Sequence, residues 1–117
     1  MLRLMIFACA LLGTSAAYAG PDDFRPGPVV AIYGTVADVE GAAPIAQDTT
    51  FRVVFDVAEA AEASAVNRRL ESAARFLNMH ARAGVPRENI HLAIVVHGPA
   101  SRDLTSVSNT DEPNANA

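Results

Sequence analysis

Two dense apolar runs frame one amphipathic segment in this chain. The first, residues 51–57 (FRVVFDV), follows Thr49-Thr50 and precedes an acidic, alanine-rich stretch. Its β-branched and aromatic content predicts a strand. The second, residues 92–96 (LAIVV), ends at His97 and Gly98-Pro99. It is too short for a helix and predicts a buried strand, with outer limits of 91–97. Both runs are nearly unbroken, the pattern of strands covered on both faces. Between them, residues 64–84 carry helical periodicity. Val66, Leu70, Ala73, Ala74, Leu77 and Ala81 make one apolar stripe, widened by Phe76 and Met79. Leu70, Ala74 and Leu77 are expected to face the sheet. Arg68, Arg75 and Arg82 recur every seven residues on the other side. A solvated face accounts for that row, with anion binding as the alternative reading. Ser64 suits the N-cap, Gly84 the C′ position, and Pro86 stops the helix.

The flanks are less regular. Residues 20–28 (GPDDFRPGP) form a turn-rich leader. Residues 29–39 (VVAIYGTVADV) are β-branched but broken by Gly34, an extended arm or a short strand. Residues 40–48 read as a loop, and residues 100–104 could begin another helix. The polar end, residues 105–117, has no apolar periodicity and is expected to fray. The extreme N-terminus has a different logic. Met1-Leu2-Arg3 is basic, residues 4–12 (LMIFACALL) are apolar, and Ala17-Tyr18-Ala19 is an A-x-A cleavage signal. That order predicts a secretory signal peptide over residues 1–19, too short to span a bilayer as a helix. The expected address is a bacterial periplasm or the exterior, with no membrane span after cleavage.

Cleavage changes the chemistry available. The chain of 117 residues becomes 98, and Cys9, its single cysteine, leaves with the signal. No thiolate nucleophile, disulfide or cysteine metal ligand remains. The mature charge is −5, from eight arginines and no lysine against thirteen acidic residues. An acidic chain with scattered arginines is a poor partner for nucleic acid, whose phosphates dominate affinity. G-x-G-x-x-G, P-loop, G-x-S-x-G, H-E-x-x-H and C-x-x-C motifs are absent. His80, His91 and His97 lack zinc-site spacing, so no metal site is assigned and the cofactor stays open.

Strand, helix, strand is a βαβ unit, which forms a parallel sheet. Ligands of open parallel sheets bind beyond the carboxyl ends of the strands. His97 falls at that end of the second strand and Asp56 near that end of the first. The pair is the candidate catalytic or binding couple, with Asp56 orienting the imidazole or capping its own turn. Asn67 opens the helix on the same edge, as a ligand contact or a cap. Gly98 and Ser101 lie on a turn whose amides could face an anion. A triad of Ser101, His97 and Asp56 has no further support. Asn78, mid-helix, is expected to bond a neighbouring loop backbone. His80 and His91 read as packing or surface residues.

In order and spacing, Phe55-Asp56-Val57, Asn67, Phe76-Leu77-Asn78, Ala83-Gly84-Val85-Pro86 and Val96-His97-Gly98 resemble the secreted branch of the DsrE/DsrF-like sulfur-relay family. The likeness spans residues 27–102, the arm 28–39 included. It implies an α/β, partial flavodoxin-like parallel sheet with an extended N-terminal arm. With the readings above, the chain divides into signal (1–19), leader and loop (20–50), DsrE-like βαβ core (51–104) and tail (105–117). The likeness also implies a homo-oligomer or assembly with related DsrE-like subunits, and a link to sulfur metabolism. No residue matches the family's sulfur-carrying cysteine, so persulfide chemistry is not implied. Ligand binding within an oligomer is the first functional expectation. An enzyme using His97 with Asp56 is the second, and a truncated, inactive paralogue the third. Two strands and one helix cannot cover both sheet faces, so either further chain or partner subunits would supply the cover.

Overall fold

The computed structural model describes residues 20–105. The signal peptide expected over residues 1–19 and most of the polar tail lie outside them. The fold is mixed α/β. Strand β1, Phe51–Val57, and strand β2, Ile90–Val96, pair in parallel from Phe51↔Ile90 to Val57↔Val96. Helix α1, Arg68–Arg82, connects them. β2 begins one residue earlier than expected, and His97 lies just beyond its end. Its amide still donates to Val57 O at 3.0 Å, extending the ladder by one bond.

The helix starts later than Ser64. Ser64 adopts a left-handed φ of 59° within a turn, and Ala65 N donates to Glu62 O there. Asn67 is the N-cap instead. Its side chain accepts from Arg69 N at 2.9 Å, satisfying an otherwise orphaned amide. The far end follows the expected glycine stop. Val85 N donates to His80 O and Gly84 N to Ala81 O, with Gly84 at φ +87°. That is the paired closure of a Schellman cap. Val85 is buried and Pro86 follows it.

One face of the sheet meets α1. Phe51 and Phe55 pack edge-on against Phe76, with centroids 5.9 and 6.1 Å apart. His80 stacks on Phe76 at 4.0 Å and meets Phe51 at 4.3 Å. Contact with the sheet therefore runs through Phe76 and His80. On its other side α1 meets the N-terminal arm, where Gly34 comes close to the backbone of Ala74 and Arg75. The other face of the sheet is open. Val54 is 67% exposed and Val95 49%. The double coverage expected from the apolar runs does not occur among the described residues, since no second helix packs there.

The arm is not a strand. Its backbone makes one isolated antiparallel bridge, Arg25↔Val36, and is otherwise gathered by Asn78. This side chain is fully buried and accepts from Val29 N (3.1 Å) and Val30 N (2.8 Å). Its amide nitrogen lies 2.9–3.1 Å from the carbonyls of Val30, Tyr33 and Gly34. One helical asparagine thus replaces a ladder for five backbone groups, the structural role expected of it. The arm must come very close for this. A Cβ on Gly27 would fall 1.9 Å from the Asn78 carboxamide carbon, and one on Gly34 (φ +65°) 2.3 Å from Arg75 N.

The arginine row is only partly a solvated face. Arg75 donates to Thr35 O and pairs with Glu71 at 3.0 Å. Arg82 grips both carboxylate oxygens of Asp38, at 2.5 and 2.7 Å. Both therefore tie the arm to the helix. The hydrogen bond from Arg82 holds the Asp38 carboxyl below its ordinary 3.8, and Asp38 in turn raises Arg82. Among the described residues, no helix is long and apolar enough to cross a membrane.

Candidate functional site at the carboxyl edge of the sheet

Parallel pairing sends both strand ends to one edge. Asp56 is the penultimate residue of β1 and His97 follows the last residue of β2. Side chains alternate across a strand, so Asp56 and His97 share the open face. They meet there: His97 Nε2 lies 2.9 Å from Asp56 Oδ1. The side chains are 54% and 70% exposed, so the pair is solvated. In the neutral ring this contact makes Nε2 the donor and leaves Nδ1 as the basic nitrogen. A carboxylate-oriented imidazole with one open nitrogen can accept a proton, or donate two hydrogen bonds once charged.

The other expected site residues are arranged around the pair. Gly98, at φ +58°, turns the chain into a 3-10 helix, Gly98–Leu104. This is a tighter element than the helix expected from residue 100. The Ala100 amide in that turn is occupied, donating to Ala58 O at 3.2 Å. Ser101 is exposed on the same element. Asn67 is buried and its amide is committed. It donates to Glu59 O at 2.8 Å and Asp103 Oδ2 at 2.6 Å, beyond its capping bond. The structure thus brings Asp56 and His97 together and uses Asn67 as a structural tie below them. His80 packs in the aromatic cluster and His91 is exposed at the opposite end of β2.

Asp103 is the residue that sequence reasoning missed. It is buried and accepts from both Ala61 N (2.9 Å) and the Asn67 amide. It therefore locks the loop after β1, the helix start and the last 3-10 helix into one edge. No local signal marks it, because an acid between Arg102 and Leu104 reads as surface.

Cavities flank the framework on two sides. One, about 540 Å³, opens at the start of α1 beside Glu59, Glu62, Arg68 and Arg69. Another, about 320 Å³, lies between the arm and the end of α1, lined by Val36, Val39, Ile45, Met79 and His80 among others. Neither is lined by Asp56 or His97. Among the described residues, no three His, Cys, Asp or Glu side chains cluster in a metal-ligating arrangement. No protein-family model, curated protein or solved structure matches the chain.

Proposed function

We propose that this chain is a DsrE/DsrF-like protein with a flavodoxin-like core. It is exported to a bacterial periplasm or beyond and binds a small ligand at the Asp56–His97 edge within an oligomer. The 2.9 Å contact between those side chains is the observation that carries the reading. It joins two residues 41 apart in sequence, at the strand ends where open parallel sheets hold ligands. The DsrE-like motifs supply the family and the sulfur connection. With Cys9 in the signal, the ligand is held without a covalent thiol step. An imidazole held through Nε2, with Nδ1 open, can offer a second N–H to a small oxyanion once it carries a second proton.

The test uses sulfite and thiosulfate as probes. In the mature chain, either anion should shift the His97 ring resonances in a saturable titration. His97→Ala should abolish binding yet leave the circular dichroism spectrum intact. Titrations with no change at His97 would refute the ligand reading. The same exported protein should begin at Gly20 by mass spectrometry, and an intact Met1 mass in the cytosol would refute export. The oriented imidazole also supports an acid–base enzyme as the second reading. Chemical turnover of the probe, lost in both His97→Ala and Asp56→Asn, would select it.

A further inference from the structure

The open face of the sheet has an ordered charge pattern. The register Arg52↔His91, Val54↔Ala93 and Asp56↔Val95 puts these six residues on it. Basic Arg52 stands at one end and acidic Asp56 at the other, roughly 13 Å apart along the strand. Exposed Val54, Ala93 and Val95 lie along it. Arg52 has no ion pair among the described residues. Asp56 uses one carboxylate oxygen on His97 and leaves the other free.

We propose that this face pairs with the same face of a second copy, so that Arg52 of each copy reaches Asp56 of the other. The interface rests on the oligomer reading above and gives it a geometry. A two-fold axis across the strands at Val54 lays β1 antiparallel over the partner's β1. Val54 then meets Val54, Ala93 meets Ala93, and each Arg52 stands over an Asp56. An axis along the strands would instead run the two copies parallel and forfeit both charge contacts. An isologous contact of this kind is self-complementary and closes at two copies. The partner's Arg52 also contributes to the ligand edge, binding the Asp56 oxygen that His97 leaves open. The face is small, roughly 23 Å by 10 Å, which makes the dimer a weak one.

Sedimentation equilibrium of the mature chain, from micromolar to millimolar concentration, tests this. The wild type should reach a dimer that weakens with added salt. Arg52→Asp and Asp56→Arg should each raise the dissociation constant at least tenfold, by placing like charges together. The double variant should recover most of the loss, because the swapped charges again oppose. A strict monomer, a dimer indifferent to both reversals, or a double variant that fails to recover would each overturn the interface. If a reversal disturbs folding by circular dichroism, cross-linking decides. Val54→Cys should link to itself through a short bis-maleimide far faster than Ile32→Cys, an exposed arm position. Equal rates would overturn the proposal. A wild-type chain that stays monomeric and still binds sulfite refutes the interface alone. Loss of binding with the dimer retained refutes the ligand reading alone.

Discussion

Asn78 shows how much one side chain can decide. A mid-helix asparagine is unfavourable on helix propensity, and here it is wholly buried. Five arm groups lie within bonding distance of its carboxamide, so both of its polar atoms are used. Asn78→Ala removes one partner and strands buried backbone groups, a loss of about 3 kcal/mol. Urea unfolding followed by circular dichroism measures it, and an unchanged midpoint would deny the clamp. Asp38 acts more gently at the surface. Its folded pKa lies below 3.8, so its contribution is complete above that value and disappears as pH falls through the folded one. Arg82, raised, stays charged throughout that range. Asp38→Asn should therefore flatten the acid limb of the stability curve below pH 3.8 and leave its shape near neutrality unchanged. An acid limb identical to that of the wild type would remove Asp38 from the account.

At the scale of elements, α1 is held from two sides. The sheet side is aromatic, through Phe51, Phe55, Phe76 and His80. The arm side is polar and depends on close backbone approach at Gly34. Gly34→Ala would set a Cβ 2.6 Å from the Ala74 carbonyl carbon and oppose a positive φ. Backbone cannot yield as a side-chain tip can, so the arm should lift from the helix. The expected cost is about 1–3 kcal/mol, with faster amide exchange at Val29 and Val30. Exchange rates equal to the wild type would contradict that attachment. Asn67 and Asp103 do the corresponding work at the ligand edge, tying the loop after β1 to the last 3-10 helix. The edge that presents Asp56 and His97 is thus rigidly backed, although the pair itself is solvated.

The whole molecule carries a thin core. Val36, Val57, Ala73, Val85 and Ala100 are the buried apolar residues among those described, and none is large. Association should therefore matter to stability. If the open face pairs, the unfolding midpoint rises with protein concentration, by mass action on the folded dimer. The Arg52→Asp midpoint should be independent of concentration, and a flat wild-type midpoint would count against coupling of folding to assembly. The sequence by itself determined both strands to within a residue, the helix and its glycine stop, and the parallel edge shared by Asp56 and His97. Those follow from local periodicity, cap chemistry and the handedness of βαβ units, all written within short windows. It also supplied the polar anchor at Asn78, because a misfit residue in a helix needs a partner. Only the tertiary structure decided the rest. Ser64 lost the cap to Asn67 because Asn67 also reaches Glu59 and Asp103, contacts made 8 and 36 residues away. Arg75 and Arg82 found partners in Thr35 and Asp38 because the arm folded alongside them, although Arg82 stays exposed. Among the described residues the sheet kept a bare face, because apolar composition specifies a need for cover, while what provides it depends on chain elements or copies far beyond any local window.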